Sequence, residues 1–203
     1  MRFLGIVPRI GRRREHAMDK VLQWNDAVAY FGDELGPYQS RLRRATQATQ
    51  GLLACRSVRG GEAMLASRDG EHSEVRLLET DIWKRQLPAA LDAWTPGDDP
   101  MIVLLAINRS PCGNCAAVLA GALHALNDRF PLRCEQQHFI LASLGYYQGA
   151  RFMQGGTWDR GTVTTHDGMQ AAHDAGWRHC VLDFGHGVTR RGAELLEYLR
   201  ANY

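Results

Sequence analysis

Residues 101–127 read MIVLLAINRSPCGNCAAVLAGALHALN, and the two ends of this stretch obey different periods. The run 101–107 is unbroken apolar sequence with loop-forming residues on either side, the pattern of a strand covered by helices on both faces. From Cys112 to Asn127 the apolar positions are Cys115, Val118, Leu119, Ala122, Leu123 and Leu126, which is helical spacing. A doubly covered strand that passes through a short loop into an amphipathic helix is the repeating unit of a layered α/β fold.

Reading outward, residues 52–59 and 62–68 flank Gly60-Gly61, a pair able to take the positive φ angles of a tight hairpin. After Asp69-Gly70, residues 72–86 carry Val75, Leu78 and Ile82 on one stripe, which predicts a helix with His72 in its first turn. Residues 88–100 read as a loop. Downstream, residues 138–147 predict a strand, 166–175 a helix closed by Gly176, 179–185 a strand, and 189–202 a last helix bearing Leu195, Leu196 and Leu199. The helix between the last two strands makes their connection a crossover, so they run parallel. The expected architecture is a three-layer α/β/α fold with a five-stranded mixed sheet, strands four and five parallel.

Ahead of this unit, residues 16–35 place Met18, Val21, Leu22, Val28 and Phe31 at helical spacings, and Gly36-Pro37 ends the pattern. A polar helix over 38–50 follows. We therefore divide the chain into a helical, Arg-rich N-terminal extension over 1–50 and the main domain over 51–203. Nine of the 24 basic residues and five of the 22 acidic ones fall in residues 1–50, so the surplus of positive charge is N-terminal. Arg9, Arg12, Arg13 and Arg14, with Arg41, Arg43 and Arg44, suit phosphate contacts, although a solvated helix face is the commoner use of such runs.

The length of 203 residues and the 45% hydrophobic composition fit an ordinary globular chain. No apolar run approaches the roughly 20 residues of a membrane span, and residues 1–8 are too short for a signal-peptide core. A membrane role is excluded on this reading, and a cytoplasmic location, or delivery into a target cell's cytoplasm, is expected. Five cysteines without regular spacing argue for a reducing compartment and for metal or thiol chemistry.

Two short motifs carry that chemistry: His72-Ser73-Glu74 and Pro111-Cys112-Gly113-Asn114-Cys115. Cysteines three apart at a helix start lie on one side, and the amides of the first turn favour their thiolates. Alone, such a pair also suits a redox couple or a structural half-site. With His72 at the start of another helix as third ligand, the set leaves a fourth position for water, as in a catalytic Zn2+ site. Glu74 falls close to the metal without being needed to bind it, which suits a proton shuttle between the water and a substrate.

His-Ser-Glu followed by Pro-Cys-Gly-Asn-Cys resembles the cytidine-deaminase-like superfamily, whose signature is HxE with a downstream PCxxC. The match extends from about Leu52 to the C-terminus through the order of elements. The helix between strands four and five is similar to the branch that holds the AID/APOBEC enzymes, the tRNA adenosine deaminases and bacterial toxin deaminases. Ser110-Pro111-Cys112 resembles the AID/APOBEC form. Arg109 stands where the vertebrate enzymes usually carry a pocket-wall Trp, and residues 87–100 read as an inserted loop. Both departures resemble the bacterial toxin deaminases more than the vertebrate enzymes.

The resemblance implies hydrolytic deamination of cytosine in single-stranded DNA or RNA, with Zn2+ held by His72, Cys112 and Cys115, Glu74 as catalytic residue, and an immunity protein as partner if the chain is a toxin domain. By position, Ser110, Tyr146, Tyr147, Arg151 and Phe152 match substrate contacts of that branch, and aromatic faces and guanidinium planes suit the stacking of unpaired bases. Adenine as target, a free nucleoside or nucleotide as substrate, and a non-catalytic zinc module that binds nucleic acid stay open. His124, His173 and His179 read as satisfied structural histidines, His166 and His186 as neighbours of a pocket that nothing yet places. Cys55 and Cys180 read as buried strand residues, and Cys134 as a loop thiol.

Overall fold

The structure is a computed structural model that describes residues 20–43, 50–56, 63–69, 73–145 and 165–203. Among the described residues six strands form one sheet: β1 (Val21–Gln23), β2 (Gln50–Arg56), β3 (Ala63–Asp69), β4 (Ile102–Ile107), β5 (His138–Ser143) and β6 (Trp177–Asp183). Their order across the sheet is β1-β6-β5-β4-β2-β3. β2 runs antiparallel to both β3 and β4, while β4 with β5, β5 with β6, and β6 with β1 are parallel. The five expected strands are present, the last two are parallel, and β1 adds a short edge strand. The hairpin turn expected at Gly60-Gly61 lies outside the described residues.

The alternation of side chains along each strand builds two apolar layers. In β4, Val103, Leu105 and Ile107 join the layer that also holds Leu53 and Cys55 of β2 and Phe139 and Leu141 of β5. Ile102, Leu104 and Ala106 point the other way, to Leu52, Ala54, Ala142 and Leu182. All six β4 residues are buried, as the apolar run requires.

Helices α1 (Trp24–Phe31) and α2 (Gly36–Arg43) cover one face through Trp24, Ala27, Phe31 and Leu42. The other face carries α3 (Ser73–Leu78), α4 (Leu87–Ala93), α5 (Gly113–Arg129), the short α6 (Pro131–Cys134), α7 (Thr165–Asp174) and α8 (Arg190–Asn202). The architecture is three-layer α/β/α. In the larger core Trp177 stacks on Trp83 with ring centroids 6.0 Å apart, and its indole N–H donates to the Leu119 carbonyl at 3.0 Å, so its one polar atom is satisfied inside the core. Gly176 ends α7 at φ +111°, a conformation that costs a residue without Cβ nothing. No helix among the described residues is long and apolar enough to cross a membrane.

Three expectations are corrected. The single helix over 16–35 does not form: residues 21–23 are β1, α1 starts at Trp24, and a 3₁₀ turn over Asp33–Leu35 leads into α2. Val21, Leu22 and Gln23 gain backbone partners in Val181, Leu182 and Asp183, a long-range pairing that outweighs a local helical stripe.

The inserted loop over 87–100 is helical in its first half, as α4. Leu87, Leu91 and Trp94 are buried, and the Arg133 guanidinium donates to the Leu91 and Asp92 carbonyls at 3.2 and 2.7 Å, satisfying the end of the helix. A wide π-type turn over Ile82–Gln86 precedes Pro88, which lacks the N–H that a continuous α-helix asks of it. Cys134, read as a loop thiol, sits in α6, buried, with its sulfur 3.6 Å from the Leu126 carbonyl oxygen.

Candidate active site

The sheet topology gathers the chain ends that matter on one edge. Gln50 pairs with Asp69, Gly51 with Ile107, and Ile107 with Ser143, so β2 begins where β3, β4 and β5 end. Helices α3 and α5 follow β3 and β4 and therefore open at this edge, the usual position of a ligand crevice in an open α/β sheet.

Hydrogen bonds fix the loop between β4 and α5. The Asn108 N–H donates to the Gln50 carbonyl at 3.1 Å, and Asn108 Oδ1 accepts from the Gln50 N–H at 3.0 Å, which ties the end of β4 to the start of β2. Ser110, 3% exposed, donates its N–H to the Gly145 carbonyl at 2.8 Å, tying the same loop to the end of β5. Cys112 then caps α5 in an extended conformation, and its carbonyl accepts from Ala116 at 2.9 Å. Asn108 was not singled out in the sequence; its place between an apolar run and Ser-Pro is the one signal that marked it as a turn former.

Opposite this loop, α3 seats on β2 at Gly51. A Cβ there would stand 2.8 Å from Leu77 Cδ1 and 2.9 Å from Ser73 Oγ, so any larger residue would push these side chains of the helix out of their present places. Ser73 and Glu74 are 0% and 3% exposed.

The two helix starts bring three of the expected site residues together. Cys115 lies within hydrogen-bonding reach of both Cys112 and Glu74. Its thiol is pushed well above the ordinary cysteine range, first by the hydrogen bond with Cys112, then by burial, then by the charge of Glu74. Glu74 Oε2 is buried and has no hydrogen-bond partner among the described residues. His72, Tyr146, Tyr147, Arg151 and Phe152 lie outside the described residues. Ser110 stands in the loop that leads into Cys112, buried against the end of β5.

Among the described residues, no three His, Cys, Asp or Glu side chains form a metal-holding group. The donor chemistry that is present still suits one. Two thiols and a carboxylate meet at the adjoining helix starts, the Cys115 thiol pushed toward its neutral form by its neighbours, and a divalent cation is the partner that would let it ionise. A Cys-x-x-Cys pair at the start of a long helix supplies two ligands of the softness that zinc prefers. No disulfide joins the five cysteines, all of which are described. Cys55 and Cys180 are buried strand residues, as expected, with thiols pushed up to about 12 by burial.

Two of the remaining histidines differ in burial. His179 is buried on β6, and its ring stacks near Tyr203. His186 is exposed beyond β6 and its backbone N–H donates to Asp183 at 3.2 Å. Comparison with family models gives no match, and comparison with curated proteins gives none.

Proposed function

We propose that this chain is a zinc-dependent hydrolytic deaminase that converts cytosine to uracil in single-stranded nucleic acid, of the kind used as bacterial toxin domains. One observation carries the reading: a buried carboxylate, Glu74, with an unpartnered oxygen, next to the paired thiols of Cys112 and Cys115 at adjoining helix starts. A structural zinc site has no use for such a carboxylate, whereas a hydrolytic site needs a base there.

Cys112, Cys115 and His72 would hold the metal. When bound, zinc supplies a Lewis acid that makes hydroxide available near neutral pH. Glu74 would receive one proton of the attacking water at its free oxygen and deliver it to the ring nitrogen beside the amidine carbon. It would then take the remaining hydroxyl proton of the tetrahedral adduct and pass it to the amino group as the carbon–nitrogen bond breaks and the carbonyl forms. Water and cytosine are consumed; uracil and ammonia leave. The burial of Glu74 keeps bulk water from competing for that proton. A base inside a duplex stack does not reach such a buried group, so single strands are the expected substrate. Tyr146, Tyr147, Arg151 and Phe152 are proposed to stack and orient the strand.

Incubation of the purified chain with single-stranded DNA, RNA, duplex DNA and free cytidine, scored for uracil and for inosine, tests this directly. Uracil in single strands is expected. Turnover of free cytidine far faster than of any oligonucleotide would replace the polymer reading by a nucleoside one, and inosine would make adenine the target.

A further inference from the structure

We infer that Gly168, on α7, is a positioning residue for the turn that carries Cys112 and Cys115: by presenting bare backbone it lets α7 seat on Gly113 and so fixes where the two thiols stand relative to Glu74. The inference rests on the zinc reading above.

Gly113 is the first residue of α5, between the capping Cys112 and Cys115. A Cβ at Gly168 would fall 2.3 Å from the Gly113 carbonyl oxygen, 2.7 Å from its Cα and 2.8 Å from its carbonyl carbon. These are backbone atoms, which cannot swing aside as the end of a long side chain can. The contact is one end of a longer seam between the two helices. Met169 and Ala172 of α7 are buried in the larger core, and Asn127 Nδ2 of α5 donates to the Ala175 carbonyl just past the end of α7, at 3.3 Å. With α7 held along this seam, a methyl group at Gly168 leaves two outcomes: α7 lifts off the start of α5, or the Gly113 peptide turns and carries the thiols with it.

Metal sites tolerate displacements of only about 0.5 Å before affinity falls. Loss of a supporting contact around a ligand commonly weakens metal binding about 10- to 100-fold. Gly192 provides a control for overpacking away from the site. A Cβ there meets Val188 Cγ1 at 2.6 Å and the Leu144 carbonyl oxygen and Val181 Cγ1 at 3.0 Å, an overpacking taken mostly by side chains that does not touch the Cys112–Cys115 turn.

The test is cobalt(II) titration of the full chain, read by thiolate-to-metal charge transfer and ligand-field bands, with zinc competition and thermal unfolding measured alongside. Gly168→Ala is expected to weaken zinc binding about tenfold or more and to shift the cobalt bands. Gly192→Ala is expected to lower Tm while leaving metal affinity as in the wild type. Wild-type affinity and bands in Gly168→Ala, or equal loss in both variants, overturn the inference. Should Gly168→Ala not fold, Asn127→Ala loosens the same seam without adding atoms; it is expected to weaken metal binding, and unchanged affinity overturns the inference.

If the wild type takes up neither metal, the zinc reading fails on its own, and iodoacetamide labelling of Cys112 decides the positioning claim. A rate altered by Gly168→Ala and not by Gly192→Ala upholds it; equal rates overturn it.

Discussion

Glu74 on α3 and Cys115 on α5 lie within hydrogen-bonding reach of each other where the two helices open, and the Glu74 oxygen Oε2 has no partner among the described residues. A buried carboxylate so placed costs folding free energy, because its desolvation is not fully offset by hydrogen bonds. Glu74→Gln removes the charge and keeps the shape. Turnover is expected to fall at least 10²–10⁴-fold, the usual loss when a general acid/base is removed, while Tm stays level or rises. Calorimetry beside the uracil assay checks both; an active Glu74→Gln chain would sink the proposed chemistry.

Cys112→Ala removes one of the two paired thiols. Metal analysis of protein purified without added zinc is expected to give near one zinc per chain for the wild type and almost none for the variant, with a clear loss of Tm because metal binding contributes to folding free energy. Cys55→Ala is the contrast: that thiol is buried in β2 and should leave the zinc content untouched. Full zinc in Cys112→Ala would place the metal elsewhere.

The legible and illegible parts of this fold separate along a physical line. The strand β4 and helix α5 could be read because an unbroken apolar run and then a change of period are local signals, and the motif between them marks a helix start. The edge strand β1 could not, since Val21 and Leu22 also fit a helical stripe with Val28 and Phe31; only the distant partner Val181 decides the matter.

For α4, Pro88 and Pro100 pointed to a loop and hid the spacing of Trp83, Leu87, Leu91 and Trp94, all buried, which had been the usable signal. At the site, Glu74, Cys112 and Cys115 announce themselves by residue type. Gly51 and Gly168 do not, because the value of a missing side chain depends on which backbone or side chain approaches it, and that is a property of the packed molecule.

Gly51→Ala tests the seat of α3. The new methyl meets Leu77 Cδ1 and Ser73 Oγ at under 3 Å and Ile107 Cγ2 at 3.3 Å, so the side chains between sheet and helix must shift to admit it. Overpacking of this kind costs about 1–3 kcal/mol. Because Ser73 is next to Glu74, the shift is expected to lower kcat well beyond what the lost stability explains, at temperatures where the variant is fully folded. Chemical unfolding and kinetics on the same preparation measure the two effects; a destabilised variant with wild-type kcat would show that α3 moves without carrying Glu74.

The stability of the fold should fall in mild acid for a reason remote from the site. His138 opens β5, buried, with both ring nitrogens lacking a hydrogen-bond partner among the described residues, and its pKa is pushed down to about 4 by burial and by the nearby Arg178. His179 on β6 is pushed down to about 3 by burial first, then by His173 and Lys20, with a backbone hydrogen bond at Met169 opposing the shift.

Both folded-state values lie below the ordinary 6.5, so the unfolded chain takes up protons that the folded chain refuses. The stabilisation from these residues is therefore intact above about pH 6.5 and is lost as pH falls from there toward 4 and 3, at up to about 1.4 kcal/mol per pH unit for each histidine. Urea unfolding from pH 7.5 to 4.5 should show the decline. His138→Gln, which cannot charge, should flatten it by roughly half even if it lowers stability at pH 7.5. A slope identical to that of the wild type would mean that carboxylates and not the buried imidazoles govern acid unfolding.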